Sequence, residues 1–228
     1  ITGAIAEEAR ANTGLGYMKN VHVVAGYTHA FTERFRLRTE LYYQRLFDLI
    51  TARTIDPDEP VDNTYSAVND FSFSFEPVPA RLANAGTGRN AGVEVSAERA
   101  LHNGLYFLLA TSLFDARYKA IDGVQRNTRF NARHAFNFTG GKEFPINERF
   151  KVLVDVKLSW MGGNRYIPVD EQATAAHHEM VYDTRHAFDP AYPDHFRADL
   201  RIGYRIQGKR VSHEAAFEAQ NLTGHRNV

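Results

Sequence analysis

An all-β fold made of antiparallel hairpins is what this sequence predicts, and three observations carry the expectation. Apolar and polar residues alternate with a period of two along most of the chain, whereas long patterns of helical period are scarce. The alternating stretches come in pairs joined by short turns. Longer links separate one pair from the next. Two architectures satisfy this pattern at the outset. In a segment of a transmembrane barrel the apolar faces meet lipid, and in a soluble β-sandwich they meet each other in a core.

The first pair spans about 17–30 and 35–50, across the turn Thr32-Glu33-Arg34. In its second strand Phe35, Leu37, Thr39, Leu41 and Tyr43 oppose Arg36, Arg38, Glu40, Tyr42 and Gln44. In the second pair Val93, Val95 and Ala97 oppose Glu94, Ser96 and Glu98, and His102-Asn103-Gly104 turns the chain into 105–119. Asn-Gly suits a tight hairpin because both residues tolerate positive φ. The third pair, about 128–142 and 150–161, turns at Pro145-Ile146-Asn147-Glu148. There Val152, Val154, Val156, Leu158 and Trp160 face away from Lys151, Asp155, Lys157 and Ser159. The fourth pairs the alternation FRADLRIGYRI at 196–206 with 211–221 across Gln207-Gly208-Lys209.

Length and composition bound the reading without deciding it. A chain of 228 residues has room for one large β domain or two small ones. Lys and Arg total 27 and Asp and Glu total 27, so no net field points to nucleic acid, and no basic run does either. No apolar run of ~18 residues offers a membrane helix. A barrel needs none, because only alternate positions meet lipid. Without cysteine there is neither a disulfide framework nor a thiolate metal site. The chain starts at Ile1 and stops soon after Asn221-Leu222-Thr223-Gly224, which suggests a piece of a longer protein.

The connections between pairs fall at about 51–91, 120–127 and 162–194. Short turns on one rim and long loops on the other are the habit of outer-membrane barrels, with the long loops extracellular. Many of the strands exceed the usual five or six residues, and ~9–11 suffice to cross a bilayer at a tilt. Tyr17, Tyr27, Phe31, Phe35, Phe144, Phe150, Trp160, Phe196 and Tyr204 lie mostly toward strand ends, as aromatic girdles do. These features favour the barrel and leave the sandwich open.

Several ordered blocks go further. NAGTGRNAGVEVSAERALHNGLYFLLATSLFDARYKAIDG at 84–123 resembles the C-terminal barrel of TonB-dependent outer-membrane receptors, in the group with a carboxypeptidase-like N-terminal extension. RNTRFNARHAFNFTGGKEF at 126–144, GGNRYIPVD at 162–170, YPDHFRADLRIGYRIQGKR at 192–210 and EAQNLTGHRNV at 218–228 are similar to successive blocks of the same barrel. The resemblance implies an outer-membrane protein of a Gram-negative bacterium, with about eight strands here of a 22-stranded barrel. It implies partnership with outer-membrane lipid, with the protein's own N-terminal plug domain and with TonB. On this reading 1–228 is a partial barrel domain that lacks the plug and the final barrel strand. The implied function is active uptake of a scarce solute such as a siderophore, metal chelate, cobalamin, glycan or peptide. The alternatives are a passive porin-like or structural barrel, a soluble sandwich that binds a ligand, and a closed barrel of eight strands.

The site residues follow from the faces. If the sheet is a barrel wall, Arg36, Arg38, Glu40, Glu94, Glu98, Asp155 and Lys157 face the lumen. So do Arg197, Asp199, Arg201, Arg205, Glu214 and Glu218. They are expected to be mainly a solvated lining, the alternative being that they guide a solute or hold the plug by salt bridges. The 162–194 link, and the 51–91 link with Phe71, Phe73 and Phe75 at its centre, are candidates for closing over a solute, and equally for packing on one another. The 162–194 link holds Asp170, Glu171, His177, His178, Glu179, Asp183 and His186. His177, His178, His186 and Asp183 have the chemistry of a metal site, but adjacent imidazoles in a loop rarely form one, so a polar, water-exposed loop is expected. GTGRNAG at 86–92 lacks the Gly-Lys-Ser/Thr ending of a phosphate loop and leads into a strand. It is expected to be a loop-to-strand transition in which Gly86, Gly88 and Gly92 are structural. No catalytic constellation emerges, so no enzyme activity, cofactor or catalytic residue is expected.

Overall fold

The computed structural model describes residues 12–58, 60–69 and 81–227. Nine strands carry it: β1 (Lys19–Thr32), β2 (Phe35–Ala52), β3 (Leu82–His102), β4 (Leu105–Lys119), β5 (Gln125–Asn127), β6 (His134–Pro145), β7 (Phe150–Met161), β8 (His195–Gln207) and β9 (Ser212–Ala219). One antiparallel sheet runs in the order β1-β2-β3-β4-β6-β7-β8-β9, with short β5 added to the end of β4. Every long strand thus lies beside its neighbour in sequence, which is the meander that consecutive hairpins produce. Among the described residues β1 pairs only with β2 and β9 only with β8. The closed eight-stranded barrel is therefore not formed, and all fourteen residues of β1 are exposed.

The turns sit where local chemistry allows them. Asn103 and Gly104 have φ of 50° and 75°, the two left-handed residues of the tightest hairpin, and His102 pairs directly with Leu105. At the other rim the strands run long. β3 has 21 residues, about 70 Å of strand at ~3.3 Å per residue, so even tilted it reaches beyond a ~30 Å hydrocarbon layer. β2 bends there through an irregularity between Leu46 and Leu49, where Asp48 takes φ 56°.

The glycines at 86–92 correct the sequence reading. This stretch is not a transition from loop to strand; it lies inside β3. Gly86, Gly88 and Gly92 serve close approach rather than turning. A Cβ on Gly92 would sit 2.6 Å from the Tyr42 hydroxyl and 2.7 Å from the Leu113 carbonyl oxygen. One on Gly86 would sit 2.6 Å from Thr51 Cγ2. Alternation is hard to see over 86–92, where three of the four inward positions hold no side chain.

Other boundaries move with it. The first long connection shrinks to 53–81, and the second grows to 120–133, interrupted only by β5. The strand expected from 128 begins at His134, because Asn131 N bonds back to Thr128 O at 3.1 Å and Arg133 takes φ 67°. That strand runs on to Pro145, and the last one ends at Ala219 instead of 221. The 162–194 link is also more ordered than a loop. It holds the short helix α1 (Glu171–His177), whose N-terminal amides are capped by Asp170, with Oδ1 accepting from Ala173 N at 3.0 Å. His178 ends the helix in the left-handed conformation at φ 58°.

A single sheet layer has no core of its own, and the buried cluster lies where the long connections pack on the strand ends. Leu49, Tyr118, Ala120, Ala187 and Phe188 form it, with Leu46, Val68 and Ile167 against them. Tyr118 donates its hydroxyl proton to Thr64 O at 2.8 Å, which ties the first connection to β4.

Candidate functional site

The register sorts the side chains into two faces, because residues directly opposite each other share a face. Arg36 lies opposite Glu98, and Glu40 opposite Glu94. Asp155 lies opposite Arg201, Lys157 opposite Asp199 and Arg205 opposite Glu214. All thirteen charged residues expected to share a face do so. The other face carries Leu41, Val93, Leu109, Phe138, Leu158, Leu200, Ile202 and Phe217 at matching positions.

On the polar face most of the charges are paired. Across β6 to β9 an alternating chain links Lys151, Glu143, Arg205, Glu214, Arg201 and Asp155. Lys151 Nζ lies 3.0 Å from Glu143, and Arg205 bridges Glu143 at 3.0 Å and Glu214 at 2.8 Å. Arg201 bonds both Glu214 and Asp155, and the Tyr106 hydroxyl donates to Asp155 at 2.9 Å. Arg197 and Asp199 pair within β8, and Asn221 N donates to Asp199 at 2.9 Å. A second group pairs Arg36 with Glu98 at 2.6 Å and Arg38 with Glu40 at 2.7 Å. Glu143 and Tyr106 were not among the expected site residues. Glu143 lies one residue past the end expected for the first strand of the third pair, and Tyr106 sits in the apolar-rich stretch 105–109.

Among the described residues, two of the concavities on this architecture draw on the connections. One, of about 520 Å³, lies over the polar face and is lined by His22, Glu40, Tyr42, Gln44, Asn90 and Glu94, with Val68 from the first connection. The other, of about 680 Å³, is formed by the long connections, with Tyr65, Tyr166, Tyr182, Tyr192, Asn164 and Arg165 in its wall. Arg165 is buried and clamps three carbonyls: its guanidinium donates to Asn131 O at 2.9 Å, Phe188 O at 3.3 Å and Asp189 O at 2.5 Å. Burial, with the nearby Arg133 and Arg117 charges, pushes this guanidinium below its ordinary value. Ser66 Oγ and Asn69 Nδ2, from the same wall, are buried with no hydrogen-bond partner among the described residues. Both links are solute-capture candidates in the sequence, yet none of these wall residues stands out there, because the wall assembles from segments far apart in the chain.

The remaining candidates fall as follows. Phe71, Phe73 and Phe75 lie outside the described residues. Asp183 and His186 meet, with His186 Nδ1 2.7 Å from Asp183 Oδ2, while His177 and His178 end α1. The His186 ring and Arg185 hold the Asp183 carboxyl below its ordinary value. Among the described residues no three His, Asp or Glu gather as a metal site would require. No helix among them is long and apolar enough to cross a membrane, which says nothing of strands.

A long-stranded antiparallel meander with one charged face and one apolar face, short turns at one rim and packed connections at the other, defines a wall of the outer-membrane barrel class. The family model described as TonB dependent receptor-like, beta-barrel, matches residues 7–222, and the chain belongs to that family. Neither a curated protein nor a solved structure matches it. Proteins of this family are transporters of the Gram-negative outer membrane that work with a plug domain and TonB.

Proposed function

We propose that this chain forms part of the barrel wall of a receptor for energy-coupled solute uptake, with the charged face toward the lumen and the apolar face toward lipid. The observation that carries the reading is the ion-paired chain from Lys151 to Asp155 on one face of a family barrel sheet. Charges paired across strands suit a wide hydrated interior, whereas lipid on that face would leave every pair without water. Solute docks first in the cavity walled by Tyr65, Tyr166, Tyr182 and Tyr192, where flat rings and the polar groups of Asn164, Ser66 and Asn69 converge. The plug of the complete receptor then moves under the pull of TonB and lets the solute pass.

Planar-bilayer conductance of the full-length receptor tests the transport class. Uptake gated by a plug predicts no steady ion current until the plug is removed by deletion. Steady current through the intact protein would instead support the passive porin-like reading.

A further inference from the structure

The apolar face is interrupted at one level by a basic row. Arg45 pairs directly with Arg89 across β2 and β3, and Arg89 pairs directly with Arg117 across β3 and β4. Lys119 follows one step outward on the same face, opposite Thr87. Like charges placed directly opposite each other destabilise a sheet, so three adjacent strands repeating the arrangement calls for a counter-charge. The protein supplies one. Asp115 accepts from Arg117 Nε at 2.8 Å and lies 3.8 Å from Arg89. Arg45 and Lys119 are exposed and make no ion pair among the described residues.

Depth identifies the missing partner. Phe35 marks the short-turn end of the apolar face, stacked on Phe31 at 5.0 Å and edge-on to Phe107 at 6.0 Å. Ten residues of strand separate Phe35 from Arg45, about 33 Å at ~3.3 Å per residue. A tilt of ~40° turns that into roughly 25 Å of depth, the height of the apolar band of an outer-membrane barrel. The row therefore stands at the outer edge of the hydrocarbon, with exposed Tyr43 one position inward at the level where aromatics collect. On the apolar face at that level the neighbours are lipid headgroups.

We propose that Arg45, Arg89, Arg117 and Lys119 form a binding site for the phosphate groups of a phosphorylated lipid in the outer leaflet. The guanidinium groups present paired N–H donors to phosphate oxygens, and Lys119 adds a point charge above them. The site rests on the reading that the apolar face meets lipid.

The test uses the full-length receptor in nanodiscs of phosphatidylethanolamine, with lipid A carrying both phosphates added in steps. Bound lipid A is counted by native mass spectrometry. Wild type is expected to hold lipid A, less firmly as salt rises, and each of R45Q, R89Q and R117Q to weaken it roughly fivefold. The triple lysine variant is expected to keep most of the binding. Equal retention by wild type and the glutamine variants overturns the proposal. If a multiple variant fails to assemble, R45Q alone decides, since Arg45 has no ion pair to lose. A cysteine at Val93, on the same face in mid-strand, separates the two readings. Labelling there by a lipid-soluble probe with no loss of lipid A in R45Q sinks only the phosphate site, and labelling by a water-soluble probe sinks the orientation beneath it.

Discussion

Leu200 and Arg201 are neighbours in β8 with opposite requirements. Leu200 stands between Val156 and Ala219 on the apolar face, whereas Arg201 stands between Asp155 and Glu218 on the charged one. Near the middle of a bilayer an arginine on the lipid face costs ~2–4 kcal/mol. Leu200→Arg or Ile202→Arg should therefore block assembly of the full-length receptor, read as loss of heat-modifiable barrel on a gel. Arg201→Gln should assemble. It leaves Glu214 with Arg205 and Asp155 with Tyr106, at a cost within about 1 kcal/mol. Gly92→Val should destabilise by roughly 1–3 kcal/mol, because its side chain meets the Tyr42 ring and the backbone of Leu113 together. Denaturant unfolding of the reconstituted receptor measures that difference. The faces of β8 were legible in sequence because every position from 196 to 206 except Gly203 carries a side chain that votes. Those of 86–92 were not, since glycine at alternate positions removes the vote.

Among the elements, the long connections behave as a small packed domain resting on the strand ends. The Tyr118 hydroxyl is a tie between them, and Tyr118→Phe should lose about 1 kcal/mol there while the sheet stays formed. Limited proteolysis should then cut faster within 53–69 and leave the barrel intact. The 183–187 turn carries a pH dependence of definite sign. Asp183 Oδ1 accepts from Arg185 N, and the folded carboxyl lies below its ordinary value. Its contribution is present above the ordinary carboxylate range and is lost as pH falls through the folded value. Cleavage of this turn by an acid-stable protease should stay level from about pH 7 to about pH 5 and accelerate as the pH falls below about 4 in wild type, and Asp183→Asn should remove that acceleration. Existence and pairing of the hairpins were readable from alternation and turn chemistry. The order within 162–194 was not, because α1 depends on a seven-residue capped turn too short to show a helical period, and the cavity beside it depends on residues far apart in sequence.

For the molecule as a whole, one sheet with two unlike faces is a wall, and its function depends on what lies on either side. The sequence resemblance and the family match agree on the class, and the register explains why alternation alone left the sandwich open: both architectures make the same faces. The chain of ion pairs across β6 to β9 and the mainly apolar face opposite, with no second sheet against either among the described residues, agree with a barrel wall. These 228 residues hold no cysteine, and in a receptor freed of any cysteine elsewhere accessibility along β8 gives the most direct measurement. Single cysteines placed from 196 to 206 in the full-length receptor, in intact outer membranes, are exposed to a water-soluble maleimide. The account predicts labelling at 197, 199, 201, 203 and 205 and protection at the positions between. Labelling in the opposite phase, or with no period of two, would contradict it.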